Sequence, residues 1–314
     1  MVSLPRFRMM GKRLRIVARL GLPALELLLA SVLPAQHLTQ PKPGETLPSF
    51  EVAAIKPDDS GPYHSAINDN NDNYLVENVP LRDLIMNAWD ARTRAQIEGG
   101  PDKLMGQRFD INARIAQDDL ARLKKLDPKE SERERDLMLQ QLLIDRFHLK
   151  AHVESREAQV FALVLAKGGP KFKASAPPPA AGAEDISAPP DKPKPHGQGT
   201  WMRMSDKSAE LEAYGSSMEA LADMLSGQSE TSGRYVIDKT GLSGNFDYSL
   251  KWTPEYMTVN VRSPDSGGQL ALDTGGSGPS LFSALESQLG LRLESEKAAV
   301  EVLVIDHVEA PSPN

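Results

Sequence analysis

The sequence contains no cysteine. That excludes disulfides, thiolate metal sites and cysteine nucleophiles, and it leaves the redox compartment open. Positive charge is also short: 36 Lys and Arg stand against 43 Asp and Glu, a net charge of −7. With no basic patch outside the N-terminus, nucleic acid is excluded as the main partner. Aromatics make up only 5% of the chain, so Trp89, Trp201, Trp252 and Tyr248 read as core residues before they read as a binding surface. Histidines number six, and no Gly-x-Ser-x-Gly elbow accompanies them, so a hydrolytic triad has no obvious base. Long apolar runs are missing after residue 33, which leaves the N-terminal segment as the one candidate for membrane contact.

That segment has the layout of a secretory signal peptide. Arg6, Arg8, Lys12, Arg13, Arg15 and Arg19 precede an apolar stretch, Leu20 to Leu33, which ends in small residues near Ala35. Glu26 interrupts the stretch, and a charge there costs a few kcal/mol in a bilayer. An uncleaved anchor and an amphipathic helix lying on the membrane are the alternatives. The expectation is an exported chain, periplasmic or extracellular, touching the membrane only through residues 1–35.

What the sequence does have is an internal correspondence. Ser216 to Val308 reads SMEALADMLSG, GRYVIDKTGLSGNFDYSLKW and SLFSALESQLGLRLESEKAAVEVLVIDHV. Pro80 to Pro170 reads PLRDLIMNAWD, AQIEGGPDKLMGQRFDINARI and LMLQQLLIDRFHLKAHVESREAQVFALVLAKGGP. Arg108–Ile111 falls on Asn245–Tyr248, Phe147–Lys150 on Leu289–Arg292, and Val160–Leu165 on Val300–Ile305. Each segment reads as helix–strand–strand–helix–strand–strand, and neither helix can bury its apolar face without a sheet. The fold class is therefore α+β, with two tandem copies of this unit. The first domain spans 49–172 and the second 201–310, with a Gly/Ser-rich insertion at 254–279. Residues 173–200, holding PPPAAG and APPDKPKP, read as a disordered linker.

Within the first unit, Ser49 to Lys56 alternates as a strand stopped by Pro57, and Asp58 to Asn73 reads as a loop. Pro80 opens a helix whose Leu81, Leu84, Ile85 and Ala88 share one face. Phe109 to Arg114 is a strand. Asp127 to Phe147 is the longest helix, with Ser131 and Glu134 at capping-box spacing. His148 to Val153 and Val160 to Ala166 are expected to pair as a hairpin, with SREAQ near its turn. In the second unit Trp201 to Ser205 reads as a strand, and Met257 to Val261 is a β-like patch inside the insertion.

The helix–strand–strand–helix–strand–strand pattern resembles the small α+β domain at the N-terminus of secretins and TonB-dependent transporters. A more specific resemblance covers nearly all of the chain after the leader. FEVAAIKP, LRDLIMNAWD with QIEGGP, FDINA, MLQQLLIDRFHLKAHVESRE, FALVLAKGGPK, VIDKTGLSGNFDYSLKW, GPSLFSALESQLGLRLES and VEVLVIDHVEAPSPN follow in order. Together they are similar to a large family of secreted proteins of unknown function found in soil acidobacteria. A similar domain lies behind the membrane metallopeptidase of β-lactam-sensor-like proteins. That family carries no catalytic residues to transfer. Its placement behind a sensor implies a ligand- or partner-binding module.

Few motifs carry chemistry. Asp238-Lys239-Thr240-Gly241 matches the aspartyl-phosphate motif of cation pumps but lacks their nucleotide domain, and it reads as a turn with Gly241 at positive φ. His148 and His152 are four apart, which on a strand is about 13 Å, so zinc would need Glu154, His307 or Glu309 as well. Asp69, Asn71 and Asn73 begin like a calcium loop, but Tyr74 and Pro80 stand where it needs Gly and Glu. Gly99-Gly100-Pro101 and Gly168-Gly169-Pro170 read as turns and not as phosphate cradles. No catalytic or cofactor-binding residue is assigned, and His148, His152 and Glu154 are the metal candidates.

The sequence thus points to a non-catalytic binding module of the cell envelope, with a protein or small ligand as partner. A metal-dependent hydrolase using His148, His152 and Glu154, and a structural protein that oligomerises, are the alternatives.

Overall fold

The computed structural model describes residues 38–61, 65–70, 72–176, 199–205, 208–255 and 278–311. The leader, most of the 173–200 linker and the Met257–Val261 patch lie outside the described residues. In chain order the first half holds strands β1 (Val52–Asp58), β2 (Ala66–Asn70) and β3 (Asn73–Pro80), then helix α1 (Leu81–Ala88). It continues with β4 (Ile97–Gly99), α2 (Asp102–Met105), β5 (Arg108–Arg114), α3 (Gln117–Leu123), α4 (Pro128–Phe147) and β6 (Lys150–Leu165). The second half holds β7 (Lys173–Ala174), β8 (Gly199–Met204), β9 (Ala209–Ser216), α5 (Met218–Ser226), β10 (Val236–Asp238) and β11 (Phe246–Trp252). Helix α6 (Leu281–Ala284), prolonged by a π turn over Leu285–Leu289, and β12 (Leu291–His307) complete it. The fold is α+β. No described helix is long and apolar enough to cross a membrane.

The helices form where the apolar spacing and end signals agree. Leu81, Leu84, Ile85 and Ala88 of α1 are fully buried, and Asp83 in its first turn complements the helix dipole. In α4 the cap is Asp127, whose Oδ1 accepts from the Glu130 N–H at 3.1 Å, followed by Pro128 at the first helical position. The Ser131/Glu134 box lies inside the helix, because the Asp-Pro pair four residues earlier already satisfies the end. Helix α4 stops at His148 in the left-handed region (φ 50°), with the Leu149 N–H donating to the Leu143 carbonyl. The π turn stops the same way at Gly290 (φ 66°). There a Cβ would overlap the Gly169 carbonyl oxygen, so glycine is required.

Two four-stranded sheets share one order: β1-β5-β3-β2 in the first half and β7-β11-β9-β8 in the second. Pro57 does not stop β1. It pairs opposite Phe109 on an edge strand, where its missing N–H leaves no ladder bond unmade. Part of the expected 58–73 loop is β2, which pairs antiparallel with β3.

The expected hairpins are absent. Lys150–Leu165 is one continuous strand, and so is Leu291–His307. The reason lies in the SREAQ stretch: it offers none of the Gly, Asn or Asp residues that a tight turn needs at positive φ. Its charges instead pair across to β12, as in Lys297–Glu157 at 2.7 Å. The two strands run antiparallel from Leu165 opposite Leu291 to Lys150 opposite His307. Carrying the alignment of Val160 with Val300 back two residues sets Ala158 on Ala298, and these are direct partners at the middle of the ladder.

This central sheet has the order β10-β6-β12-β4. Each short strand pairs parallel with the long strand of the opposite half: β4 with β12, and β10 with β6. The cores are shared in the same manner. Leu303, Ile305 and Val308 belong to the core around α1, α4, β3 and β5, while Phe161 and Leu163 belong to the core around α5, α6, β9 and β11. Sheet pairing and packing thus cross the 172/201 boundary, and the described residues form a single unit.

Candidate functional site

The metal candidates do not converge. His148 is the exposed left-handed residue that ends α4. His152, on β6, holds Asp306 through Nδ1 at 2.8 Å and Glu154 through Nε2 at 3.0 Å. Glu154 also accepts from Arg156, which reaches on to Glu98. Hydrogen bonds to Asp306 and then to Glu154 hold the His152 pKa above its ordinary value. Both ring nitrogens are therefore engaged by carboxylates. His307 pairs separately with Glu309 at 3.0 Å. Among the described residues no three His, Asp or Glu side chains are grouped to hold a metal.

The other sequence motifs resolve into local structure. The Thr240 N–H donates to Asp238 Oδ1 at 2.8 Å, the Leu242 N–H to Thr240 Oγ1, and Gly241 takes φ 69°, so Asp238–Gly241 is a side-chain-capped turn. Of the calcium-like triplet, Asn71 is outside the described residues, and Asp69 and Asn73 lie on the paired strands β2 and β3. Gly99-Gly100-Pro101 does lie between a strand and a helix. A Cβ at Gly100 would meet the Met105 side chain, so the turn is closed against its own core and cradles nothing. Trp89, Trp252 and Tyr248 are buried, the Trp252 indole donating to Glu230 Oε1 at 3.1 Å, while Trp201 lies partly exposed against Tyr214.

The structure assembles instead a cleft of about 400 Å³ that no motif announces. One wall comes from the first half: Thr39 of the lead-in, Asp90 and Arg92 just after α1, and Glu132, Arg133 and Asp136 of α4. The other comes from the second half: Ser217 before α5, Glu219 and Asp223 on it, and Tyr235. The lead-in is strapped down by hydrogen bonds from the Leu38 N–H to Glu301, from the Thr39 N–H to the Trp89 carbonyl, and from Gln140 to the Thr39 carbonyl.

Arg92 spans the cleft. Its guanidinium forks onto Asp90 at 2.8 and 2.9 Å and reaches Asp223 at 3.3 Å, and Asp223 also accepts from the Tyr235 hydroxyl at 3.2 Å. Asp90 has φ 53°, a left-handed conformation that Asp tolerates better than most residues. Burial raises its pKa to about 6, with Arg92 opposing and Glu132 and Asp223 reinforcing. Burial also raises Asp136 to about 8. The Thr39 hydroxyl, donating at 3.0 Å, works against that, and the nearby Asp90 and Glu132 add to it. Burial and Asp223 likewise push the Tyr235 phenol up, so it stays a donor.

Five carboxylates and three cations line the cleft, and one of the cations, Arg133, is committed to Glu45 and the Gln40 carbonyl. Carboxylates whose charged form is penalised by burial, as Asp90 and Asp136 are, are relieved by an added positive charge. Such a wall can therefore bind a cationic group, and it can hold a proton on Asp136 at neutral pH. The only trace in the sequence is the polar row Arg133, Asp136 and Gln140, at spacings of three and four on a helix whose next face is leucine.

These features define an α+β protein with a charged cleft between two interlocked halves. The family described as "Protein of unknown function (DUF3738)" matches residues 82–308, and the chain belongs to it. No curated protein and no solved structure matches the chain.

Proposed function

We propose that the chain is a non-catalytic binding module whose ligand places a positively charged group in the cleft beside Asp90, Asp136 and Asp223. The observation that carries this reading is the excess of carboxylates over cations on two facing walls, five against three, spanned by the guanidinium of Arg92. A cation seated there lowers the Asp136 pKa and releases its proton. The sequence-level resemblance to secreted proteins, and to a domain placed behind a membrane sensor, supports an exported module of the envelope. The hydrolase alternative requires His152 to give up two carboxylates. Zinc analysis of purified protein against a His152→Ala control tests it.

Calorimetry at pH 7 with lysine amide, arginine amide and spermidine, against Nα,Nε-diacetyl-lysine amide and glutarate, tests the cleft. The expected result is binding of the cations alone, with proton release that disappears in Asp136→Asn. Equal binding of charged and acetylated lysine, or no binding by any cation, would overturn the proposal.

A further inference from the structure

Among the described residues, the edge of β11 that faces away from β9 is closed at every outward position but one. Alternate residues of an antiparallel strand turn their N–H and C=O to the same side, so the outward positions are Asn245, Asp247, Ser249, Lys251 and Thr253. The Ser175 N–H donates to the Asn245 carbonyl at 2.8 Å, and Asp247 pairs with Lys173 of β7. At Lys251 the side-chain amide of Gln288 imitates a strand, donating to its carbonyl at 2.7 Å and accepting from its N–H at 2.9 Å. The Thr253 N–H donates to the Pro279 carbonyl. Ser249 alone is left open, an exposed residue between Tyr248 and Leu250, which are buried in the second core. The chain that would cover it turns away at Lys171, whose N–H goes to the Leu289 carbonyl at 2.9 Å. In the other outer sheet the matching edge is paired without a break, from Val52 opposite Arg114 to Asp58 opposite Arg108.

A cavity of about 460 Å³ lies over this gap, with Phe172 and Leu289 as its apolar lining. Lys171 is spent on the Glu286 and Ser287 carbonyls, whereas Lys173 has no carboxylate partner among the described residues. We propose that the gap takes the carboxy-terminal residue of an extended peptide, at a site separate from the charged cleft. Running in the direction of β7, the ligand donates its last peptide N–H to the Ser249 carbonyl. One carboxylate oxygen accepts from the Ser249 N–H, the other faces the Lys173 ammonium, and the side chain of the last residue lies on the exposed face beside Ser249. The ligand has to end there, because Phe172 and Lys173 already occupy the continuing track. The recognition is strand addition one residue long, closed by a charge.

Titration of ¹⁵N-labelled protein with acetyl-alanyl-alanine tests this, against its carboxy-terminal amide and a form N-methylated at the last peptide nitrogen. The acid should shift the Ser249 and Gln288 resonances and bind about tenfold or more tightly than either analogue. Lys173→Gln should lose the preference for the acid, Ser249→Pro should lose binding, and Asp136→Asn should change nothing. If Ser249→Pro does not fold, the N-methylated ligand removes the same pairing from the other partner. Equal affinity for acid and amide, or no response at Ser249, would overturn the proposal.

Discussion

The two outer sheets have the same strand order and very different surroundings. In the first half, β5 is flanked by the seven-residue β1 and backed by the twenty-residue α4, with α3 adding a small core of Ile115, Leu120, Leu123 and Met138. In the second half, β11 meets the two-residue β7, and the corresponding helix is four residues plus one π turn. The sheet order and the exchange of long strands recur in both halves, because each core is closed by the other half's strand. The lengths of the edge strand and of the second helix do not recur, and those are the features that border the cleft and the open edge. The longer helix supplies the cleft wall through Glu132, Arg133 and Asp136, and the shorter edge strand leaves Ser249 uncovered.

The sharpest way to break this comparison is to attack the exchanged strands. Leu163→Ala and Leu303→Ala each remove a fully buried side chain from the core of the opposite half, and each should cost about 2–5 kcal/mol. Both variants should still unfold in one transition, followed by tryptophan fluorescence, since Trp89 reports on the first core and Trp252 on the second. Two separate transitions, or a stable fragment covering residues 38–176 alone, would show that the halves stand independently.

A smaller effect sharpens the account of the cleft. The folded-state pKa of Asp136 is about 8, above its unfolded value near 4. Its proton therefore favours the folded state at low pH, and the folded chain loses stability as pH rises from about 4 through about 8. Asp136→Asn removes that slope. In urea melts the variant should match the native chain at pH 4 and exceed it at pH 8.5 by about 1–3 kcal/mol, allowing for the partial exposure of the site. An unchanged pH dependence would mean that water reaches the carboxyl freely.

The smallest effect concerns the exposed cluster on the central sheet. His152 should titrate above the usual histidine value near 6.5, and Asp306→Asn should lower its midpoint more than Glu154→Gln does. The contribution of its two ion pairs is present at acid pH and lost as pH rises through that midpoint. NMR of the ring protons measures this directly, and an unshifted midpoint in Asp306→Asn would break the assignment.

Much of the local structure was legible because it rests on short-range physics. The buried face of α1, the strand around Phe109, and the turn at Asp238–Gly241 follow from spacing, proline placement and side-chain capping. Long-range pairing was not legible. The alternating charges of Ser155–Gln159 read as a turn until a partner strand places Lys297 against Glu157. Strands β4 and β10, three residues each, carry too little pattern to declare a parallel partner. The cleft gathers Thr39, Asp90, Asp136 and Asp223 from four separate stretches, and each taken singly looks like a solvated surface residue.

The α+β class and the buried helix faces follow from the order of residues alone, since periodicity and end signals act within a few residues of each other. That the long strands run unbroken, and that each half completes the other's core, depends on contacts between distant parts of the chain. Strand pairing yields its hydrogen bonds and buried area only when both partners are present, and here the partner lies in the opposite half of the chain.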